Sequence, residues 1–413
     1  MQLSEIEKKM AEGEFGRAKQ QCIRIQIQLA EAYEVEEFVP ITAAHIDCNS
    51  YGRVSGNAKL SFARKMVEAG GRVTVLTTLN PGGRDIKRWK EFKLPAEFAD
   101  KCAEIEEAYL ELGAIPTWTC APYNTGTIPC KGENIAYAES NAIVFANSVL
   151  GARSPRYGDF FEVCSAITGR APRFDLHLEE NRLADLKIDV TEASPLSFSD
   201  DLFYALLGYE VGKLSGDKVP VITGIPPAVS RDHLKTFGAA IASSGGVGLF
   251  HLVGVTPEAP SLEAVVPEGD ETPVRKVDGK RLLKDKKELS FMDERDVDLV
   301  LFGCLHFSLP ELIGNRAVAE GVEFWVQTNR EVHSWIEEMG ILTKLKDAGV
   351  RVSTDSCIFN WPLDNWDFET AVTNSAKFSH YAPNDLGFST SILDLDGCID
   401  TACSGVVDPG GIK

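Results

Sequence analysis

Apolar residues in this chain fall in short runs, each closed by a small-residue turn and followed by a stretch where apolar positions recur every three or four residues. The runs suit strands buried on both faces and the stretches suit amphipathic helices. Their alternation predicts βαβ units with parallel sheets, an α/β fold. Residues 4–36 read as a helical hairpin or one broken helix. Ser4 and Glu7 form a capping box there, Gly13 and Gly16 interrupt, and Ile23, Ile25, Ile27 and Leu29 supply apolar positions. Residues 38–44 read as a buried strand that delivers His45 and Asp47 into a loop. An amphipathic helix over 57–69 and a strand over 72–77 complete a right-handed crossover.

Further helices are predicted over 95–113 and 160–169, and a short strand over 115–118. The segment 136–153 reads as a helix rich in small residues that carries Glu139, Ser140, Asn141, Asn147, Ser148 and Arg153. So many polar groups on one apolar segment point to a substrate-facing helix. The alternative is a core helix whose polar groups satisfy one another. A second βαβ signature covers 201–255, with His251 read as a core histidine, and the proline-rich polar stretch 256–296 reads as a linker. The last unit has strands over 297–302, 323–328 and 350–354, with helices over 310–321 and 331–348. At 413 residues the chain exceeds the usual single domain. Boundaries are placed at 1–190, 191–290 and 291–413. No repeat of tens of residues is visible.

A formal charge of -19 disfavours nucleic acid and anionic membranes as partners. The chain start has no apolar leader core, and no apolar run reaches the ~18 residues of a membrane span. A soluble, cytoplasmic protein is expected. The 10 cysteines are dispersed and include no C-x-x-C pair, so they are core thiols or metal ligands rather than zinc-ribbon or disulfide frameworks. Cys22, Cys102 and Cys164 sit on helical faces and read as core thiols; Cys48, Cys120, Cys130 and Cys403 carry no assignment.

Cys304 and Cys357 each follow an apolar run, and Cys398 lies in Leu395–Ile399. Strand ends are where α/β proteins place chemistry. Three thiolates suit zinc or an iron–sulfur cluster and leave one metal position open, where a Lewis acid could assist loss of a hydroxyl. Their separations, 53 and 41 residues, select neither metal. The polar neighbours Asp355, Ser356, Asn374, Ser375 and Lys377 strengthen the metal reading. G-x-G-x-x-G, the P-loop, G-x-S-x-G and H-E-x-x-H are all absent, which argues against nucleotide-binding, serine-hydrolase and zincin chemistry.

Taken together, these residues resemble the aconitase X family. The resemblance runs through nearly the whole chain. It rests on Ala44-His-Ile-Asp47, Thr77-Thr-Leu-Asn80, Thr119-Cys-Ala-Pro-Tyr123, Glu139-Ser-Asn-Ala142, Ala146–Arg153, Ile167-Thr-Gly-Arg170, His177 with Glu180-Asn-Arg182, Gly254-Val-Thr-Pro-Glu258, His306-Phe-Ser308, Asp355-Ser-Cys357 and Thr373-Asn-Ser-Ala-Lys377. It implies an aconitase-like plan, three α/β domains with mainly parallel sheets around an iron–sulfur site, and a smaller swivelling domain absent from this chain. A separate small subunit is expected to carry that domain. The implied activity is a hydro-lyase acting on a hydroxylated acid.

By the same resemblance Cys304, Cys357 and Cys398 would hold a 4Fe-4S or 2Fe-2S cluster. Asn80, Glu139, Ser140, Asn141, Ser148 and Arg153 would face substrate. Asn374, Ser375 and Lys377 would grip its anionic group, and His45, Asp47 and His306 are candidates for proton relay. Two substrates follow from the resemblance: cis-3-hydroxy-L-proline, giving a pyrroline-2-carboxylate, and (R)-5-phosphomevalonate, giving trans-anhydromevalonate 5-phosphate. Glu139–Asn147 and Arg156–Phe160 favour the first, and Thr78–Gly83 the second. A reading from another class is a non-catalytic binding protein with a structural metal site.

Overall fold

A computed structural model describes residues 1–47, 57–126, 128–193, 200–269, 271–291, 295–312 and 318–407. Two units are distinguished, Met1–Arg182 with Asn360–Pro362, and Leu183–Phe359 with Leu363–Lys413.

In chain order the first unit comprises α1 (Glu5–Glu12), α2 (Arg17–Ala32), β1 (Phe38–Pro40), β2 (Ala43–Ile46), α3 (Asn57–Glu68), β3 (Leu76–Leu79), α4 (Ala96–Glu111), β4 (Ile135–Tyr137), α5 (Ser140–Phe145), α6 (Phe161–Thr168) and β5 (Arg170–Pro172). The capping box at Ser4 forms: its hydroxyl accepts from the Glu7 amide at 3.4 Å, and the Glu7 carboxylate accepts from the Ser4 amide at 2.7 Å. The single strand expected over 38–44 is two. Pro40 has no N–H for a ladder, so β1 turns aside to pair antiparallel with β5 while β2 enters the main sheet.

The strand expected over 72–77 starts later. The amides of Val73 and Thr74 donate instead to the carbonyls of Leu112 and Ala166, each at 2.8 Å. The helix expected over 136–153 begins as β4, and only then becomes α5 and a π-helical turn over Ala146–Leu150, closed by Gly151 at φ 72°. Strands β3, β2 and β4 are parallel, with β2 central. Helices α2, α3, α4 and α6 cover the sheet with a buried cluster that includes Cys22, Met66, Tyr109, Leu112, Cys164 and Ile167.

The second unit comprises β6 (Leu186–Asp189), α7 (Asp200–Ser215), β7 (Pro220–Thr223), α8 (Arg231–Ser244), β8 (His251–Leu252), β9 (Val274–Lys276), α9 (Gly279–Glu288), β10 (Arg295–Asp296), β11 (Leu299–Phe307), β12 (Glu323–Thr328), α10 (Arg330–Glu338), α11 (Ile341–Asp347), β13 (Val350–Ser353), β14 (Thr370–Thr373), α12 (Ala376–Asp385), β15 (Ser389–Ile392), α13 (Leu395–Ser404) and β16 (Val406–Val407). The stretch expected to be a linker supplies both β9 and α9. It reads as polar because all of β9 is exposed and α9 is a surface helix that buries little beyond Leu282 and Asp285. The helix expected over 331–348 is cut by Gly340, at φ 70°, into α10 and α11. Of the helix expected over 310–321, Pro310–Leu312 is a single 3-10 turn, and 313–317 lie outside the described residues.

Two parallel sheets result, β8-β7-β6-β9 and β13-β12-β11-β14-β15. Both are wound the same way: the chain enters an inner strand, moves outward on one side, then returns to the other. The reversal falls between β6 and β9 in one and between β11 and β14 in the other. In the first unit it falls between β2 and β4. Beyond such a reversal the crossover helices leave on opposite faces, and the carboxyl ends of the strands border a crevice.

Candidate active site

The carboxyl edge of the first unit's sheet collects His45, Asp47, Asn80, Glu139 and Asn141. The Ala138 amide donates to the His45 carbonyl at 3.0 Å, and the Asn80 amide to the Ile46 carbonyl at 2.9 Å, which brings the three strand ends level. His45 is fully buried, its Nδ1 2.8 Å from the Thr78 hydroxyl. Thr78 Oγ1 in turn donates to the Ala44 carbonyl at 3.4 Å. Burial lowers its pKa to about 4, against the opposing pull of Glu139, Asn80 and Asp47. At neutral pH this is an uncharged imidazole.

Asp47 is held on both oxygens. Asn80 Nδ2 donates to Oδ1 at 3.0 Å, and the Lys59 ammonium lies 2.9 Å from Oδ2 and 3.1 Å from the Asp47 carbonyl. Glu139 caps α5, accepting from the Ala142 amide at 2.8 Å and from Ser140 Oγ at 3.3 Å. The buried Asn141 donates to the Tyr123 hydroxyl at 2.7 Å and to the Cys120 carbonyl at 3.2 Å. Tyr123 is itself stacked on Phe145 with ring centroids 3.6 Å apart.

Ser148 and Arg153 go elsewhere. Ser148 is buried in the π-helical turn, and Arg153 bridges Asn134 at the amino end of β4, its guanidinium donating to the His177 carbonyl at 3.4 Å. The helix expected to carry them all becomes a strand at its start. Glu139 and Asn141 therefore lie just past the end of β4, and Ser148 and Arg153 beyond α5.

In the second unit the carboxyl edge of the five-stranded sheet brings together Cys304, His306, Asp355, Cys357, Asn374 and Ser375. Ser375 lies across the winding reversal from Cys304 and donates its hydroxyl to the Cys304 carbonyl. Its Oγ also accepts from the Phe378 amide at 3.1 Å and so caps α12. Lys377, in the first turn of that helix, is partly exposed. His306 is buried, and its Nε2 donates to the Ser356 carbonyl at 3.1 Å. Burial and the nearby Lys235 bring its pKa to about 4, against the pull of that hydrogen bond, so it is neutral and its tautomer is set.

Gln327 reinforces the same link: its amide reaches the Ser356 carbonyl at 3.4 Å, and the Ile358 amide donates to its oxygen at 3.3 Å. Asp355 sits in the left-handed region at φ 66°, gripped by Arg330 at 2.5 and 3.1 Å. The backbones around Cys304 and Cys357 are thus tied to each other through side chains.

Cys398 does not join them. It is fully buried in the apolar cluster of Val300, Phe302, Val326 and Ala402, with its thiol directed at the Leu393 carbonyl, 3.8 Å away. Burial first, and then the Asp201 and Asp394 carboxylates, push that thiol well above the ordinary range. Among the described residues no group of three His, Cys, Asp or Glu side chains is placed to hold a metal ion. Of the three expected ligands, Cys304 and Cys357 share this sheet edge and Cys398 lies in the apolar cluster; Cys48 lies outside the described residues.

Several residues of these edges were missed from the sequence. Lys59 lies on the buried face of α3 with Leu60, Ala63 and Met66, and Glu162 lies in α6, every residue of which is buried. Lys235 and Gln327 occupy buried positions of α8 and β12. The available signal was the same each time: one polar residue at an apolar phase of the period.

Models of the aconitase X first, second and third domains match residues 1–180, 184–284 and 297–404. A cis-3-hydroxy-L-proline dehydratase of Pseudomonas aeruginosa is 39% identical over 98% of this chain and 70% of its own length. One from Hypocrea jecorina is 37% identical over 100% of this chain and 71% of its own. The phosphomevalonate dehydratase large subunit of Methanothermobacter thermautotrophicus is 38% identical over 93% of this chain and 94% of its own length. The crystal structure of Thermococcus kodakaraensis aconitase X in its holo-form superposes with a TM-score of 0.86 at 32% identity, covering 97% of this chain and 100% of that one.

Proposed function

The chain belongs to the aconitase X family, and from that premise we propose that it is the large catalytic subunit of a hydro-lyase that removes water from cis-3-hydroxy-L-proline to give a pyrroline-2-carboxylate. The observation that carries this reading is its kinship, along its full length, with two dehydratases of that name. A second reading, dehydration of (R)-5-phosphomevalonate, is favoured by the near end-to-end match with a phosphomevalonate dehydratase large subunit. That relative's name, a large subunit, supports a small subunit as partner, and we propose that it carries a swivelling domain. No helix among the described residues is long and apolar enough to cross a membrane.

Dehydration needs a base for the proton and an acid for the departing hydroxyl. In the first unit the neutral His45 lies beside Asp47, which Lys59 and Asn80 hold in one orientation. Asn141 and Ser140 offer polar groups for orienting a small acid. In the second unit Lys377 and Asn374, at the start of α12, suit a carboxylate or phosphate. The aconitase-like family supports an iron–sulfur cluster as cofactor, 4Fe-4S or 2Fe-2S. Cys304 and Cys357, at one sheet edge, are the thiols proposed to hold it; Cys398, expected with them from the resemblance, sits in the apolar cluster of Val300 and Phe302.

The test is direct. Anaerobically reconstituted protein, with and without a co-expressed small subunit, is offered each substrate, and products are identified by mass. Turnover of hydroxyproline alone supports the first reading and turnover of phosphomevalonate alone the second. Turnover of neither with both subunits present overturns the enzyme.

A further inference from the structure

Four charged groups meet at the carboxyl end of β2, and their formal charges do not balance. Lys59, from α3, has side-chain exposure of only 2%. Its three N–H groups have three acceptors in reach: Asp47 Oδ2 at 2.9 Å, the Asp47 carbonyl at 3.1 Å and Asp159 Oδ2 at 3.2 Å. An ammonium has no fourth hydrogen to offer. Glu162, in the first turn of α6, is the third carboxyl of the group and the most enclosed, at 1% exposure. Its Oε2 makes no hydrogen bond.

A buried carboxylate with one oxygen left without a donor is a form that a protein interior tolerates poorly, so Glu162 keeps its proton. Burial, and after it the Asp47 charge, raise its pKa to about 8, while its own backbone amide and Lys59 pull the other way. The remaining titratable groups near it are the Cys164 thiol on α6, which Glu162 and Cys22 influence, and, through Asp47, His45.

We propose that Glu162 is a positioning residue: it keeps one proton so that every N–H of Lys59 stays on Asp47 and Asp159, and losing that proton turns Lys59 toward Glu162 and releases Asp47 from its orientation. The inference rests on Asp47 serving the dehydratase site. It gives that site an alkaline limit set by a residue that touches no substrate.

The sign for stability follows. The folded state binds this proton more tightly than the unfolded chain, whose carboxyl titrates near 4.5. The contribution is full below that pH, and it is lost as pH rises through about 8.

The experiment compares the full chain with Glu162→Gln, an isostere of the neutral acid that cannot ionise. Difference infrared spectra between about pH 6 and about pH 10 should show, beside the band of Asp285, whose carboxyl burial raises to about 7, a second protonated carboxyl band that disappears on titration in the wild type and is missing in the variant. The fall in melting temperature toward pH 8 should flatten in the variant, and the alkaline limb of the kcat profile should vanish while the acid limb stays. A wild-type spectrum without this second band overturns the proposal even where the variant fails to fold. So does a variant that retains the alkaline limb. Should neither substrate be turned over, the dehydratase reading falls alone, and the band and the melting profile still decide whether Glu162 stores the proton.

Discussion

The four-stranded and five-stranded sheets of the second unit are wound alike, yet their reversal points are furnished in opposite ways. Between β6 and β9 the polar groups turn back on themselves near solvent. Asp189 accepts from the Thr191 amide at 3.0 Å and its hydroxyl at 2.6 Å, and Lys276 pairs with Glu192 at 2.7 Å where both are more than half exposed. Between β11 and β14 the buried Ser375 is linked to Cys304, and the neighbouring ends of β12 and β13 are tied in beside them: His306 and Gln327 to Ser356, and the half-buried Arg330 to the buried Asp355. Topology supplies the crevice. Buried, cross-connected side chains turn one crevice into a site.

The contrast is broken most severely at the thiols. Cys304→Ala or Cys357→Ala should abolish both the visible absorption of reconstituted protein and its turnover. Cys398→Ala should keep the absorption and cost about 1 kcal/mol in denaturant unfolding. A full cluster spectrum in Cys357→Ala, or its loss in Cys398→Ala, would reverse the assignment.

Backbone crowding comes next. A Cβ on Gly303, at φ 96°, would stand 2.1 Å from the Gln327 carbonyl oxygen, so Gly303→Ala should cost about 3 kcal/mol or more. Gly254, just past β8 at φ 75°, has nothing within 4 Å of its Cβ position. Gly254→Ala should cost only about 1 kcal/mol. Equal costs by urea titration would mean that the five-stranded edge is no tighter than the other.

His306 separates the edges more gently. Its folded pKa, about 4, lies below the ordinary 6.5. Its contribution is therefore present above pH 6.5 and lost as pH falls through about 4, up to about 3 kcal/mol in all. His306→Gln should flatten that acid limb in a pH series of unfolding curves. The smallest effect is expected at the other sheet: Lys276→Ala should leave melting temperature and turnover unchanged, because an exposed pair of this kind is screened by water.

Much of this was legible in the chain. The strands expected over 323–328 and 350–354 coincide with β12 and β13 to within a residue, whereas the strand expected to stop at 302, before Cys304, runs on as β11 through Cys304 to Phe307. Cys398 shows where a string of letters stops. Four residues past its N-cap Asp394, a thiol can face the strand ends or the sheet, and rotation of about 100° per residue decides. Lys59 and Glu162 were invisible for a related reason. Each is one polar letter in an apolar phase, and only the fold shows that they share a cluster.

The two reversal points aside, β9 has a consequence of its own. It is an outermost strand, all three of its residues are exposed, and two of them are Arg275 and Lys276. An open strand edge invites a stray strand from another molecule, and cationic side chains projecting from it discourage that approach. In a chain of net charge -19 this short basic margin is a local exception to the general acidity. It guards the one margin at which this sheet could be extended past β9.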